Sequence, residues 1–151
     1  MAFVPLILAA RSCYSPASHI LILCGMAIRI WAAGYVGPGA RKHEFHADHV
    51  IKSGPYRLLK HPLYIGNFFL VLGVLIMYNP PRWLSVLYIG LFMIIYTTIL
   101  FGEVHYLKGK PEREECYRLR NLSGEVSTWI VLAVVYFVHF LLGSLNKYPG
   151  M

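Results

Sequence analysis

The chain has 151 residues, 57% of them hydrophobic and only 14% charged, with 14 basic against 7 acidic side chains. A soluble domain carries about a quarter charged residues; here the charges fall in blocks between long uncharged runs, which excludes an ordinary soluble domain and fits a membrane protein. The basic residues flank apolar runs instead of forming a stripe on a polar surface, which argues against nucleic acid as a partner, and Cys13, Cys24 and Cys116 are too scattered for a disulfide framework or a zinc site.

A helix that crosses the hydrocarbon needs about 20 mainly apolar residues. The opening run Ala2 to Ala10 is too short for that. It is a poor signal peptide as well, since no basic residue precedes it and Pro5 interrupts it. An interfacial or re-entrant helix packed on the first span is expected there. The first span is predicted over residues 20–36, apolar apart from Arg29. A polar loop, 37–61, leads to a short span over 63–78, which enters from His61-Pro62 and ends at Asn79-Pro80-Pro81. That tight turn predicts an antiparallel helical hairpin with the next span, 83–101. A second polar loop, 103–126, precedes the last span, 129–145, whose one titratable group is His139. The expected architecture is all-α: a single integral membrane domain over 1–151, a helical bundle of about four spans plus the short N-terminal helix.

Basic residues orient this arrangement. Arg41, Lys42, Lys52, Arg57 and Lys60 lie in the first loop, and Lys108, Lys110, Arg113, Arg118 and Arg120 in the second. The opposite side has Arg11, Arg82 and Lys147. An even number of spans puts both rich loops on one face, which the positive-inside rule makes cytoplasmic. All seven acids and five histidines (His43, His46, His49, His61 and His105) fall in the same two loops. Groups able to do acid–base work or hold a polar cofactor are therefore gathered on one membrane face.

The most specific segment runs from Ser53 to Gly66, SGPYRLLKHPLYIG. It reads as a turn, a short amphipathic stretch and a helix start. Pro62 suits the first helical turn, where its missing N–H would be unpaired anyway. The helix then points its free N–H groups and positive dipole end at the cytoplasmic loop, beside Arg57, Lys60 and His61, as an anion site requires. Gly66, one turn in, lets a ligand or a neighbouring helix approach the backbone closely. Tyr56 and Tyr64 carry aromatic faces with a polar tip, suited to the membrane edge.

Gly54-Pro55-Tyr56-Arg57 followed by Lys60-His61-Pro62-Leu63-Tyr64-Ile65-Gly66 resembles the hallmark of the isoprenylcysteine carboxyl methyltransferases and their phospholipid N-methyltransferase relatives, with Lys60 in place of the usual Arg. Arg29-Ile30-Trp31-Ala32 resembles the family's pattern at the end of the preceding span, and Val50-Ile51 its hydrophobic pair. The resemblance covers about Ile20 to Glu103. It implies S-adenosylmethionine-dependent methyl transfer without a Rossmann fold, and the chain indeed has no strand–glycine-loop–helix unit. Carried over, the cofactor-binding residues are Val50, Ile51, Tyr56, His61, Pro62, Leu63, Tyr64 and Gly66, with Glu103 at the end of the hairpin's second helix. A carboxylate at Glu103 suits the methionine ammonium or the ribose hydroxyls; the helix start suits the methionine carboxylate. The family's His before the hydrophobic pair falls on Asp48, with His49 adjacent as a further cofactor candidate. Its usual Glu pair is Gly102-Glu103 here, and its covering tail survives as Glu115-Cys116-Tyr117 before another span.

Arg29 lies about two turns inside the first span. A charge there is costly, so it either serves function, in a substrate-facing or ion-pair role, or snorkels to the interface. Arg29 and Glu103 are the candidate catalytic residues. The cluster His43-Glu44-Phe45-His46-Ala47-Asp48-His49 has metal-ligand spacing, but membrane di-iron enzymes use several histidine boxes, so no metal is expected and a polar loop rimming the cofactor is. The acceptor is expected to be lipophilic, a carboxylate, amine or thiol that enters from the bilayer, with membrane lipids as neighbours. The competing readings are a membrane reductase of the steroid-reductase type using NADPH, and a non-enzymatic membrane scaffold.

Overall fold

The computed structural model describes residues 15–36 and 50–147. The expected N-terminal helix, His49 and the rest of the histidine cluster lie outside the described residues. The main elements are α1 (Pro16–Val36), β1 (Val50–Ile51), α2 (Pro55–Leu58), α3 (Pro62–Tyr78), α4 (Arg82–Leu107), β2 (Glu112–Arg113), a 3-10 segment over Leu119–Glu125, and α5 (Val126–Lys147). The fold is an all-α bundle. Among the described residues the one sheet is a parallel pair of two-residue strands, Val50 opposite Glu112 and Ile51 opposite Arg113. Pro16–Val36, Arg82–Leu107 and Leu119–Ser144 are each long and apolar enough to cross a membrane, and α3 is a shorter apolar helix.

Local chemistry sets the helix ends. Ser15 starts α1, its carbonyl accepting from the Ser18 amide at 3.1 Å and from the Ser18 hydroxyl at 2.6 Å. Pro62 occupies the first position of α3. Asn79 ends it in the left-handed conformation, φ 40°, with its N–H on the Leu75 carbonyl at 2.9 Å. Pro80 cannot continue that helix, and α4 begins directly after Pro81. Every helix begins earlier or ends later than the apolar runs suggest, because terminal turns tolerate polar residues that a hydropathy reading excludes. The consequence that matters is at Glu103, which lies inside α4 rather than in a loop.

Helices α1 and α3 pack most closely. A Cβ added to Gly25 would stand 2.8 Å from the Gly66 carbonyl oxygen, and one added to Gly66 would stand 3.0 Å from the Gly25 oxygen. Farther along, one on Gly73 would meet Ile22 at 2.6 Å and the Ser18 oxygen at 2.9 Å. The low residue numbers of α1 meet the high numbers of α3, so the two run antiparallel. Small residues at this seam let the backbones touch, which is how helices associate where lipid removes the hydrophobic drive between them. Ile22, Leu70, Val74, Met77, Tyr78, Leu132 and Val135 form the core where α1, α3 and α5 meet.

Helix α4 returns along α3 through Phe68 against Phe92, with ring centroids 5.7 Å apart, and Phe92 in turn stacks on Tyr96 of its own helix at 4.1 Å. Of its residues only Leu84 is buried, while Trp83, Leu87, Ile94, Ile95 and Phe101 are exposed. An apolar face of that breadth is untenable in water and suits hydrocarbon. Spanning 26 residues, α4 is about 39 Å long, which exceeds a hydrocarbon core of about 30 Å. Helix α5 begins beside Arg29 and reaches Tyr78 with Val135, so it runs parallel to α3. The ends of α1 and α4 and the starts of α3 and α5 therefore share one end of the bundle.

Candidate active site

That shared end gathers the polar side chains. His61 precedes α3 with no side chain capping the helix, and its carbonyl accepts from the amides of Tyr64 and Ile65 at 3.2 and 3.3 Å. Tyr64, one turn on, stacks on the His61 ring with centroids 5.6 Å apart and planes 10° from parallel. The Tyr64 hydroxyl donates to Oε2 of Glu103 at 2.8 Å, and His61 Nδ1 lies 3.4 Å from the same oxygen. Among the described residues the second oxygen, Oε1, carries no partner. The side chains of His61 and Glu103 keep 22% and 31% exposure, so a ligand can reach them. A positive helix end and a carboxylate thus stand side by side. This pairing of opposite electrostatic elements is the complement of an amino-acid zwitterion.

Beneath it lies a buried network around Arg29. Its Nε donates to Glu125 Oε2 at 2.9 Å and its Nη2 to Glu125 Oε1 at 3.1 Å. Nη2 also reaches Thr128 Oγ1 at 3.0 Å, and Nη1 donates to Asn67 Oδ1. Asn67 in turn donates through Nδ2 to the Tyr96 hydroxyl at 2.5 Å, and the Tyr96 ring stands edge-on to Tyr64 at 5.1 Å. Glu125 is 1% exposed. Of the roles the sequence left open for Arg29, the geometry shows the ion pair, and its nitrogens are committed to protein partners.

The segment after α4 returns across this end as a strap. Val50 donates its N–H to the Pro111 carbonyl at 2.8 Å and Lys52 its N–H to the Arg113 carbonyl at 3.2 Å. The Glu115 N–H donates to Ser53 Oγ at 2.9 Å. The strap then crosses the end of α1, where the Gly34 carbonyl accepts from the Arg118 N–H at 2.9 Å and from Asn121 Nδ2 at 2.8 Å. The ring of Tyr117 fills the space that a side chain at Gly34 would need. Glu115-Cys116-Tyr117 is part of this strap, Glu115 bonded to Ser53 and Tyr117 packed at Gly34.

The sequence-derived residues divide as follows. His61, Tyr64 and Glu103 come together. Val50 and Ile51 lie half-buried in β1 under the strap. Tyr56 sits in α2 with its hydroxyl buried, close enough to Arg29 to feel its charge. Pro62 is buried and Leu63 half-buried at the start of α3. Gly66 is taken by α1, since a Cβ there would meet Arg29 Cγ at 2.6 Å. Of the two uses its size allows, the structure shows the close approach of a neighbouring helix, because antiparallel α1 occupies that face. Arg57 and Lys60 are exposed at the rim.

Sequence reasoning missed Asn67, Tyr96, Glu125 and Thr128. A signal for the first two was present, since they are polar groups within apolar runs. Nothing local marked Glu125, which sits 96 residues from its partner.

Among the described residues, then, the chain is an all-α bundle with membrane-length helices and polar groups gathered at one end. Residues 16–110 match the phospholipid methyltransferase family, and the chain belongs to it. No curated protein and no solved structure matches the chain. The family match ends as the strap begins, so the strap, Glu125 and Thr128 all lie beyond it.

Proposed function

We propose that this protein transfers the methyl group of S-adenosylmethionine to a lipophilic acceptor. The observation that carries this reading is the uncapped start of α3 with His61, set against the Glu103 carboxylate, all within the family-matched residues. When bound, S-adenosylmethionine supplies a methyl on a positively charged sulfur. The residues fit its amino-acid portion: the helix start and His61 hold the carboxylate, while Glu103, steadied by Tyr64, holds the ammonium. Leu63 and the half-buried pair Val50 and Ile51 supply apolar walls near the helix start and under the strap. A nicotinamide cofactor has no such zwitterion, so the pairing favours methyl transfer over the reductase reading.

An amine is the acceptor these groups favour. Arg29 is the one buried Lys or Arg among the described residues, and Glu125 matches its charge. Among the described residues no unmatched buried cation is left to draw a carboxylate into the bundle. Fixing donor and acceptor in line can lower the barrier by roughly 7–11 kcal/mol. We further propose four membrane crossings with this end of the bundle on the cytoplasmic face, as the distribution of basic residues implies. The acceptor enters from the bilayer beside the lipid-facing helix α4.

Incubation of purified protein with methyl-labelled S-adenosylmethionine and vesicles of phosphatidylethanolamine or phosphatidylcholine tests this function. Label is expected in the amine-bearing lipid. Retention of NADPH without retention of S-adenosylmethionine would overturn it in favour of a reductase, and retention of neither in favour of a scaffold.

A further inference from the structure

We infer that Glu125, outside the family-matched residues, is a positioning residue for the cofactor site, an inference that rests on the methyltransferase reading. Glu125 takes Nε and Nη2 of the Arg29 guanidinium with its two oxygens at 2.9 and 3.1 Å, which fixes the plane of the fork. With the plane fixed, the two N–H bonds of Nη1 are fixed in direction too, and one of them meets Asn67 Oδ1. That bond orients the Asn67 amide so that Nδ2 faces the Tyr96 hydroxyl, at 2.5 Å. Tyr96, clamped between this bond and the stacked ring of Phe92, sets the edge against which Tyr64 rests. Tyr64 then places its hydroxyl on Glu103. A carboxylate at the foot of α5 thereby determines where the cofactor-binding carboxylate at the end of α4 is held.

The covalent path adds to this. Glu125 is the last residue of the 3-10 segment that ends the strap, and the strap's other contacts hold β1 and Gly34. One continuous stretch of chain thus joins β1 and the end of α1 to the buried network around Arg29. Any movement of the strap bears directly on Arg29.

The test places 3-fluorotyrosine at position 96 alone and follows three readouts in detergent: its fluorine signal, S-adenosylmethionine affinity and thermal stability. Asn67→Ala cuts the chain without touching the ion pair. It is expected to move the fluorine signal and weaken the affinity about tenfold, the weight of one hydrogen bond, with the melting temperature near the parent's. Glu125→Gln is expected to move signal and affinity in the same way and also to lower stability, while Glu125→Asp, which keeps the carboxylate, restores both. A Glu125→Gln protein that is less stable yet keeps the parental fluorine signal and affinity overturns the inference, leaving the ion pair a structural tie. If Glu125→Gln does not fold, parental affinity in Asn67→Ala overturns it. Failure of the methyltransferase reading shows separately, as absence of S-adenosylmethionine binding by the unsubstituted protein, whatever the fluorine signal does.

Discussion

Glu125 and Arg29, 96 residues apart, form a two-pronged ion pair with side-chain exposures of 1% and 8%. Arg29→Met leaves a carboxylate buried without its counter-charge, an arrangement that costs about 3–5 kcal/mol. Arg29→Met combined with Glu125→Leu removes both charges and is expected to recover most of that loss, since apolar residues of similar volume often replace a buried pair at no net cost. Unfolding of the three proteins in mild detergent checks this: the double variant is expected to lie closer to the parent than the single one does.

Glycines separate by position. Gly66→Leu drives a side chain into Arg29 and the Gly25 backbone, forcing α1 and α3 apart, so it is expected to destabilise the bundle by about 1–3 kcal/mol or more. Gly90 on α4 has nothing within 4 Å. Gly90→Ala is expected to be neutral or to stabilise by about 0.5–1 kcal/mol, because helical Gly carries an entropic cost. Melting curves of the two variants give the comparison.

The strap depends on the absent side chain at Gly34. Gly34→Val collides with the Tyr117 ring and is expected to release the strap from α1. Limited trypsin digestion should then cut after Arg113, Arg118 or Arg120 faster than in the parent, with α3 and α4 still protected. Unchanged cleavage would show that the strap is held without this contact.

Much of this was legible in the sequence, and the omissions have physical reasons. Helix positions follow from apolar runs and from Pro62, Asn79 and Pro80, which act locally. The grouping of His61, Tyr64 and Glu103 is what the resemblance implied, and the tight turn at Asn79-Pro80-Pro81 gave the hairpin in which α4 runs back along α3. The Arg29–Glu125 pair could not be read the same way: each residue is ordinary in its own segment, and only the packing of the 3-10 segment Leu119–Glu125 on α1 joins them. The parallel pair of Val50-Ile51 with Glu112-Arg113 is too short to show a period. At Gly66 the sequence marked a close approach, but the identity of the approaching group is a tertiary fact.

Topology has its own check. In a background with Cys13, Cys24 and Cys116 replaced, cysteines introduced at positions 60 and 110 are expected to label from the cytoplasm only. A cysteine at 147 is expected to label from the opposite side. Labelling of position 147 from the cytoplasm would contradict four crossings.

The central claim is that the start of α3 and Glu103 together hold the amino-acid end of S-adenosylmethionine, and calorimetric titration of purified protein in detergent tests it most directly. The unsubstituted protein is expected to bind S-adenosylmethionine and S-adenosylhomocysteine, which share that end. Glu103→Gln is expected to weaken both by roughly 10- to 150-fold, the worth of a charged hydrogen bond of about 1.5–3 kcal/mol, and His61→Ala is expected to weaken both as well. Equal affinities in the parent, Glu103→Gln and His61→Ala proteins, all folded, would contradict the claim.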